Sequence, residues 1–381
     1  MTALYDRATL DRVPWPATRD GGYARRVLAP LVEHGPAAFI DNVHAEVRVL
    51  AADGHALPLV LSDPARAGAD SYVVSPTNHY VDYGKREVEL EMGGASVLRA
   101  VLPPLLEGFR PLFRWGGIDR VAYVNNWLLS TNLHPRLAPD VLRDIRDLVA
   151  ATFPDRAVVF RSVNETLNAE LMRDLRRLGF RPVFSRQVYL YDPRTPGAVP
   201  RSLRQDAGLA RRGPYAWAGA DDIGDDEVPR LRELYAQLYL EKYSPFNPGF
   251  TERFVASALR ERWLEVFALR REGRTVATVG FVERGGTMTA PLIGYDRALP
   301  AEEGLYRRIS YKLVEEARAR GLLLNQSSGA AAFKRFRGGV PAMEMSLVYD
   351  RHLPARARLP WRVLETASRR AIVPLMRRMK L

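Results

Sequence analysis

The sequence predicts an α/β (α+β) protein of two similar halves, each a mixed, mostly antiparallel sheet flanked by helices, followed by a basic helical tail. Short apolar runs separated by turn residues alternate with stretches of helical periodicity. The two halves end in matching segments, 163–192 and 324–350. The length of 381 residues and the hydrophobic content of 47% suffice for two ordinary domains with apolar cores.

The first half is predicted to contain a hairpin, two strands, a helix, a strand, a second helix and a final strand. Asp53-Gly54 is typical of a tight hairpin turn, and Pro139 suits the first turn of a helix with regularly spaced apolar residues. In chain order these elements fall at 45–61, near 71–75, at 121–133, from Ala138, at 157–160, at 167–178 and up to Tyr191-Asp192.

A linker is predicted at 193–214, where four prolines interrupt any apolar periodicity. It separates a first domain, 36–192, from a second domain, 215–350. An N-terminal segment, 1–35, precedes the first domain, and the tail occupies 351–381.

The second half is predicted to contain two helices, a three-stranded meander, a third helix, a strand, a short helix and a closing strand. Glu272-Gly273 and Gly285-Gly286 supply the turns of the meander. The elements fall at 226–243, 251–263, 264–269, 275–282, 288–295, 300–321, 322–325, 330–336 and 343–349.

Both halves end with the same order of signals. An Asn closes a strand, and a helix, a Gly, a Pro and a strand ending in Tyr-Asp follow it, in 164–192 and again in 325–350. Because solenoid repeats recur every 20 to 50 residues, a repeat of about 150 residues indicates a domain duplication.

On this element order and on the patterns at 164–182 and 325–341, the chain resembles the GNAT acyltransferase superfamily, specifically its tandem, Fem-type members. The resemblance covers about 36–192 and 215–350. It implies a bacterial, cytoplasmic N-acyltransferase. The second domain would be catalytic, and the first, degenerate domain would shape the acceptor cleft.

In that superfamily the pyrophosphate of acyl-CoA lies on a glycine-rich loop where a helix begins, because free N–H groups and the positive helix dipole meet it there. The matching residues are Glu303, Gly304 and Leu305, of which only Gly304 fits the glycine pattern. Glu302 and Glu303 oppose phosphates unless they turn away; the alternative is that they only stabilise the helix dipole. The residues expected along the donor are Glu303, Gly304, Leu305, Arg307, Arg308, Asn325 and Phe333.

The resemblance also suggests catalytic candidates. Phe333 stands where these enzymes carry a tyrosine that protonates the leaving thiolate, and Phe333 cannot donate a proton. Its neighbour Lys334 is predicted to stabilise the developing oxyanion or leaving group, unless it is an ordinary surface lysine. Tyr295, Asp296 and Glu344 are candidates for accepting the proton of the attacking amine, although Asp296 equally suits a loop cap.

Two segments are predicted to border the site of a small-molecule or peptide amine. Residues 240–251 contain Tyr243, Phe246 and Asn247, and a loop at 75–87 contains His79 and Tyr80. The alternatives are a turn with a helix cap for the first segment and a structural, hydrogen-bonding histidine for the second.

Composition excludes other classes of protein. The chain has no cysteine and six scattered histidines, so no metal site is expected. No apolar run is long enough for a membrane span or a signal peptide, and a cytoplasmic location is expected. Basic motifs with interleaved aromatic residues are missing, which disfavours nucleic acid as a partner, with tRNA as the exception under the alternative function below.

Most of the net charge of +12 lies in the tail, where nine basic residues and one acidic residue follow Asp350. A helix over 361–381 places Trp361, Leu364, Ile372, Leu375 and Met379 on one side and Arg362, Arg369, Arg370 and Lys380 away from it. Such a tail suits peripheral contact with the anionic inner membrane surface. The alternative is a helix packed on the second domain.

The leading hypothesis is transfer of an acyl group from acyl-CoA, such as acetyl-CoA, to an amine. One alternative is Fem-type transfer of an aminoacyl group from tRNA, which suits the glycine-poor loop and the basic surface. A non-catalytic GNAT-fold binding protein is the other.

Overall fold

The computed structural model of the chain describes residues 2–91 and 96–379. These residues form twelve strands, all in one sheet, and thirteen α-helices. Lys380, the last basic residue of the predicted tail, lies outside the described residues.

The first half contains strands β1 to β6 and helices α1 to α6. In chain order they are β1 (Ala3–Tyr5), α1 (Arg19–His34), β2 (Ala45–Ala52), β3 (His55–Ser62), α2 (Gly84–Glu91), α3 (Ser96–Glu107), α4 (Arg110–Gly116), β4 (Val121–Val124), α5 (Pro139–Thr152), β5 (Ala157–Asn164), α6 (Glu165–Arg177) and β6 (Arg181–Tyr191).

The second half contains β7 to β12 and α7 to α13. They are α7 (Arg201–Ala210), β7 (Tyr215–Ala218), α8 (Val228–Ala236), α9 (Glu252–Glu261), β8 (Glu265–Arg271), β9 (Arg274–Arg284), β10 (Thr287–Tyr295), α10 (Leu305–Arg320), β11 (Leu323–Asn325), α11 (Ala331–Arg335), β12 (Val340–Tyr349), α12 (Ala355–Ala367) and α13 (Val373–Met379). Stretches of π-helix at Asn78–Tyr83, Gln237–Tyr243 and Ser368–Ile372 adjoin α2, α8 and α12.

The last strands of the two halves are exchanged in the sheet. The strand order is β1-β2-β3-β4-β5-β12-β6-β11-β10-β9-β8-β7. The final strand β12 therefore lies antiparallel between β5 and β6, while β6 separates β12 from β11. Each half completes its sheet with the other half's last strand, so the sheet runs through the molecule without a break.

Apolar side chains pack on both faces of this sheet. One cluster lies under α5 and α6 and includes Ile145 and Leu175, and a second lies under α10 and includes Ile309. The largest cluster spans both halves on the opposite face, where α1, α8, α9 and α12 pack. Hydrophobic burial thus joins the halves in addition to the exchanged strands.

The predicted α/β fold with two similar halves is confirmed, since each half ends in a strand, a helix and a strand, β5-α6-β6 and β11-α11-β12. The predicted hairpin, meander and long third helix of the second half are also present as β2-β3, β8-β9-β10 and α10. The domain boundaries stay a prediction.

Some predicted elements are wrong. Residues 71–75 form turns instead of a strand, because Ser71 bonds outward, its N–H to the Asn42 carbonyl and its hydroxyl to the Phe246 carbonyl. The predicted strand 121–133 ends at Val124, since Asn125 and Leu128 have φ of 56° and 61°.

Other elements were not predicted. The expected loop 75–87 is largely helical, and α7 lies inside the segment interpreted as a linker. Helices α1, α3 and α4 are further additions.

Gly294 permits a close approach of α8 to β10. A Cβ at this position would lie 2.3 Å from the backbone carbon of Leu234 and 2.4 Å from the nitrogen of Tyr235. We expect Gly294→Ala to lower the free energy of unfolding by about 3 kcal/mol, because backbone atoms cannot move aside.

Urea denaturation measures this loss. Gly219→Ala is the matched control, because no atom lies within 4 Å of its added Cβ, and its effect should stay within about 0.5 kcal/mol. Equal effects of the two substitutions would contradict the close approach of helix and strand.

Candidate active site

A narrow cleft, with about 70 Å³ of space accessible to water, lies where the two halves meet. Its wall combines a tyrosine-rich helical segment of the first half with the π-helical stretch after α8 and the loop between β11 and α11. The residues that line it are Tyr72, Tyr83, Arg86, Glu87, Ser130, Arg186, Leu238, Tyr239, Tyr243, Ser244, Asn247, Ile293, Tyr306, 326–330 and Lys334.

Five tyrosines give the cleft its chemical character. Tyr72 and Tyr83 face each other with ring centroids 4.3 Å apart, and Tyr239 and Tyr243 lie 5.9 Å apart on the other side. Burial raises the pKa of Tyr83 and of Tyr306 well above the usual value for tyrosine. The hydroxyls therefore stay protonated at neutral pH and are available as proton donors.

A buried ion pair supports the floor of the cleft. Arg186 on β6 donates from Nε to Glu344 Oε1 on β12 over 2.8 Å, and less than 2% of either side chain is exposed. Its other nitrogens donate to the Tyr72 hydroxyl, the Ser130 carbonyl and Thr131. Burial opposes the charge of Arg186, but the Glu344 carboxylate outweighs it and raises the pKa of the guanidinium.

A second, smaller opening, with about 30 Å³ of space accessible to water, leads from the cleft between β10 and β11. The two strands are parallel neighbours over 287–289, and β11 ends at Asn325 while β10 continues to Tyr295. Ala290, Ile309 and Ser310 line the gap, and Tyr306 lies on the boundary that it shares with the cleft. One end of a narrow ligand lying in this opening would therefore extend into the cleft.

Helix α10 begins beside this opening. Gly304 precedes the helix in the left-handed conformation, with φ of 63°. Glu303 turns aside, because its carboxylate accepts from the Tyr215 hydroxyl over 2.5 Å and from Arg271 over 2.8 Å. The hydrogen bond from Tyr215, followed by the charge of Arg271, lowers the pKa of Glu303. Glu303 is therefore ionised at neutral pH, with its charge directed to these two partners.

The arginines of the first helical turn point in different directions. Arg308 is buried and stacks on Tyr215, with its guanidinium carbon 3.9 Å from the ring centroid. Arg307 donates to the carboxylate of Asp206 on α7 over 2.6 Å. Leu305, also predicted along the donor, is buried in the core under α10.

These features coincide with a match to a known protein family. Residues 201–335, from α7 to α11, match the family described as Acetyltransferase (GNAT) domain. The second half contains a GNAT domain. No curated protein matches the chain significantly.

Among solved structures, FemX is 9% identical, with a TM-score of 0.49 over 94% of this chain and 97% of FemX. A tandem GNAT protein from the clavulanic acid biosynthesis pathway is 11% identical, with a TM-score of 0.37 over 92% and 98%. L-PGS from Bacillus licheniformis is 18% identical, with a TM-score of 0.45 over 61% and 79%. Similarities of this size carry no inference about activity.

Lys334 of the GNAT domain lines the cleft and holds the preceding loop. Its ammonium donates to the carbonyls of Gln326 and Ser328 over 2.7 Å and to that of Ser327 over 3.2 Å. Ser327 and Ala330 have φ of 59° and 52°, so the ammonium supports a backbone of uncommon conformation. A role for Lys334 at an oxyanion stays a prediction.

Phe333 and Asn325 flank the same loop. The Phe333 ring lies 4.9 Å from that of Tyr306, and the guanidinium of Arg337 lies 3.4 Å above its centroid. The buried Asn325 side chain accepts from the N–H of Ser327. Phe333, at the position where the resemblance predicts a tyrosine, therefore contacts Tyr306, and Tyr306 has the hydroxyl that Phe333 lacks.

Tyr295 and Asp296 lie at the end of β10, apart from the residues that line the cleft. Asp296 accepts from Arg230 on α8 over 2.5 Å and from the N–H of Ala298, which is the geometry of a loop cap. The Tyr295 hydroxyl lies 3.2 Å from the Lys242 ammonium. Their predicted role as proton acceptors stays untested.

The acceptor candidates divide into two groups. Tyr243 and Asn247 line the cleft, and the Asn247 amide also fixes the turn by donating to the Tyr239 carbonyl. Phe246, His79 and Tyr80 lie outside the residues that line it.

The first-half candidates are enclosed by other side chains. Burial lowers the pKa of His79 to about 3, so its ring is neutral, and Ser185 lies within hydrogen-bonding distance. Tyr80 packs edge-on against Trp361 of α12. The pair therefore supports the cleft wall from behind.

Several residues of the site were not predicted from the sequence: Tyr72, Tyr239, Tyr306, Arg186 and Asp206. Tyr235, Tyr239 and Tyr243 recur every four residues, a spacing that places them on one face of a helix. This aromatic spacing is the available signal for the second-half wall. Arg186 carries no such signal, because its partner Glu344 is distant in sequence.

Removal of one partner from the buried ion pair tests how firmly it supports the cleft. We expect Glu344→Gln to lower the free energy of unfolding by about 3 kcal/mol, because Arg186 keeps its charge without a counter-charge. Guanidinium denaturation measures the loss.

The apolar double variant Arg186→Met/Glu344→Leu is the control, and it should be more stable than Glu344→Gln because it leaves no buried charge. If Glu344→Gln unfolds like the wild type, the ion pair is not the support of the cleft floor.

Proposed function

We propose that the chain is an N-acyltransferase that transfers an acyl group from acyl-CoA, acetyl-CoA being the simplest donor, to an amine in the central cleft. The observation that carries this proposal is the junction between the β10–β11 opening and the cleft. A thioester arm lying in the opening would deliver its acyl carbon to an acceptor held between the two halves. Proximity of this kind supplies much of the catalysis in acyl transfer.

Strand β10 offers a place for the thioester carbonyl. Beyond Thr289 it has no paired neighbour on the β11 side in the described part of the chain. Backbone N–H groups along such an edge can donate to the carbonyl oxygen as it becomes an oxyanion. The acyl group would then lie near Ile293, which lines both the opening and the cleft.

Tyr306 is the best placed proton donor for the leaving group. The amine nitrogen attacks the thioester carbon, the carbon–sulfur bond breaks, the thiolate takes up a proton from Tyr306, and the proton that the nitrogen loses returns through solvent to the Tyr306 phenolate. The Tyr306 ring touches that of Phe333 and borders both spaces. Its raised pKa keeps the hydroxyl protonated until the thiolate forms.

We expect Tyr306→Phe to bind acetyl-CoA like the wild type but to lower kcat for amine-dependent thiol release by about a hundredfold, because proton transfer to the leaving group is lost. Calorimetry measures binding, and a thiol reagent measures turnover. The control is Tyr311→Phe, on the same helix but outside the residues that line the cleft.

Unchanged turnover in Tyr306→Phe would remove this residue from the mechanism. If neither acetyl-CoA nor longer acyl-CoAs bind the wild type, acyl-CoA is not the donor.

The second candidate function is Fem-type transfer of an aminoacyl group from tRNA. Helix α7 covers the start of α10 and leaves no open space there for a CoA pyrophosphate. This arrangement favours tRNA as the donor. Transfer activity abolished by ribonuclease would identify this donor. A chain that binds ligands in the cleft without turnover would instead be a non-catalytic member of the fold.

We further propose that the C-terminal helices contact an anionic membrane surface from the cytoplasm. None of the described helices is long and apolar enough to cross a bilayer. Exposed arginines of α12 to α13, Arg362, Arg369 and Arg370, form no ion pair within the described residues. Exposed Trp115 and Leu359 lie on α4 and α12, which pack together, and a surface of this composition suits lipid headgroups.

We expect the chain to sediment with vesicles containing phosphatidylglycerol and to stay in solution with pure phosphatidylcholine. Arg369→Gln/Arg370→Gln should weaken vesicle binding by about 2 kcal/mol, because each arginine near the surface contributes about 1 kcal/mol. Arg211→Gln/Arg212→Gln removes the same charge elsewhere and is the control. An equal loss in both variants would exclude a specific role for the tail.

A further inference from the structure

Asp206 of α7 is a fully buried carboxylate held by two arginines. Arg307 donates from Nε to Oδ1 over 2.6 Å, and Arg337 donates from Nε to Oδ2 over 2.5 Å and from its second nitrogen to Oδ1 over 3.2 Å. Asp206 is 0% exposed and the Arg337 side chain 9%. Two guanidinium groups that converge on one small anion form an anion-binding site.

This site adjoins the start of α10. Arg307 belongs to the first turn of the helix, and Leu209 of α7 would lie 2.6 Å from a Cβ on Gly304. Arg308, the next residue, is buried, and its Nη1 atom has no hydrogen-bond partner among the described residues. The start of α10 therefore carries more positive charge and more hydrogen-bond donors than the Asp206 carboxylate pairs with.

Proline- and glycine-containing segments flank helix α7 on both sides. On its N-terminal side lie Pro193, Pro196, Gly197 and Pro200, and 211–214 on its C-terminal side contain Gly213 and Pro214. Most of these flanking residues are exposed. Within α7, Leu203 lies in the core under α10 and Asp206 is buried between Arg307 and Arg337, so the ion pairs of Asp206 are a main attachment of the helix.

We propose that Arg307 and Arg337 form a binding site for a phosphate group of the donor, and that Asp206 fills this site until the donor displaces α7. The inference rests on the proposed function in taking the donor to be phosphate-bearing. Asp206 is then an intramolecular competitor of the ligand, and α7 is a strap over the α10 start.

The chemistry of the two anions supports competition. The pyrophosphate of an acyl-CoA carries two negative charges and four non-bridging oxygens, whereas a carboxylate carries one charge and two oxygens. Both cannot occupy the space between Arg307 and Arg337, so binding requires Asp206 to leave. A closed state that excludes the ligand lowers the apparent affinity by the fraction of molecules that are open.

Calorimetry with inorganic pyrophosphate and, separately, with CoA tests the site. We expect Asp206→Asn to bind pyrophosphate about tenfold more tightly than the wild type, because the neutral amide competes less well for the arginines. Asp192→Asn is the control, because this half-buried carboxylate pairs with Arg194 and with neither Arg307 nor Arg337, and its variant should bind like the wild type.

Limited trypsin digestion of the wild type gives a second measurement that needs no variant. Arg201 and Arg204 lie in α7, and Arg211 and Arg212 follow it. Pyrophosphate or CoA should raise the rate of cleavage at these arginines severalfold as α7 detaches. Protection or an unchanged rate on binding would overturn the proposal, and this outcome holds even if Asp206→Asn fails to fold.

The outcomes separate the two proposals. Tighter pyrophosphate binding in Asp206→Asn with no CoA binding upholds the site and removes CoA as the donor. CoA binding of equal strength in both proteins, without faster cleavage, supports the donor and overturns the strap. Equally weak pyrophosphate binding in wild type and variant overturns the site whatever CoA does.

Discussion

The pairing of β12 with β5 and β6 is the constraint on which the rest of the structure depends. It places Glu344 directly opposite Arg186 in the strand register, at a point where the register between β12 and β6 becomes irregular. Because side chains alternate along a strand, a shift by one residue would put the two charges on opposite faces of the sheet. The floor of the cleft thus exists only when both halves have folded and exchanged strands.

This dependence explains what the first half contributes to the cleft. Arg186 reaches from the exchange point to the Ser130 carbonyl and the Tyr72 hydroxyl, so it fixes the wall of the first half relative to a strand of the second. The opening beside α10 belongs to the GNAT domain alone, whereas the cleft needs both halves. The two spaces therefore depend on different parts of the fold: one strand–helix unit of the second half forms the opening, and strand exchange forms the cleft.

The sequence predicted the elements whose periodicity is strong and local, such as α10 and the meander, because each records its own burial pattern. It failed at 71–75, where an apolar run is buried in turns and satisfied by distant carbonyls. The prolines of 193–214 obscured the helical pattern of α7, although Leu203, Asp206 and Leu209 recur at a helical spacing within it. Contacts between halves, which create the cleft, have no local signal.

Near the start of α10, the direction in which a charged side chain points affects an incoming phosphate more than the position of that residue in the sequence. Glu303 lies next to Gly304 and would be expected to repel a phosphate, yet its carboxylate is directed to Tyr215 and Arg271. Asp206 lies about a hundred residues away in the sequence, yet its fully buried carboxylate pairs with the partly exposed Arg307 and with the buried Arg337. Such a partly buried ion pair is screened less than one at the surface. The obstacle that an incoming phosphate meets is therefore the buried aspartate, and the adjacent glutamate is a minor influence.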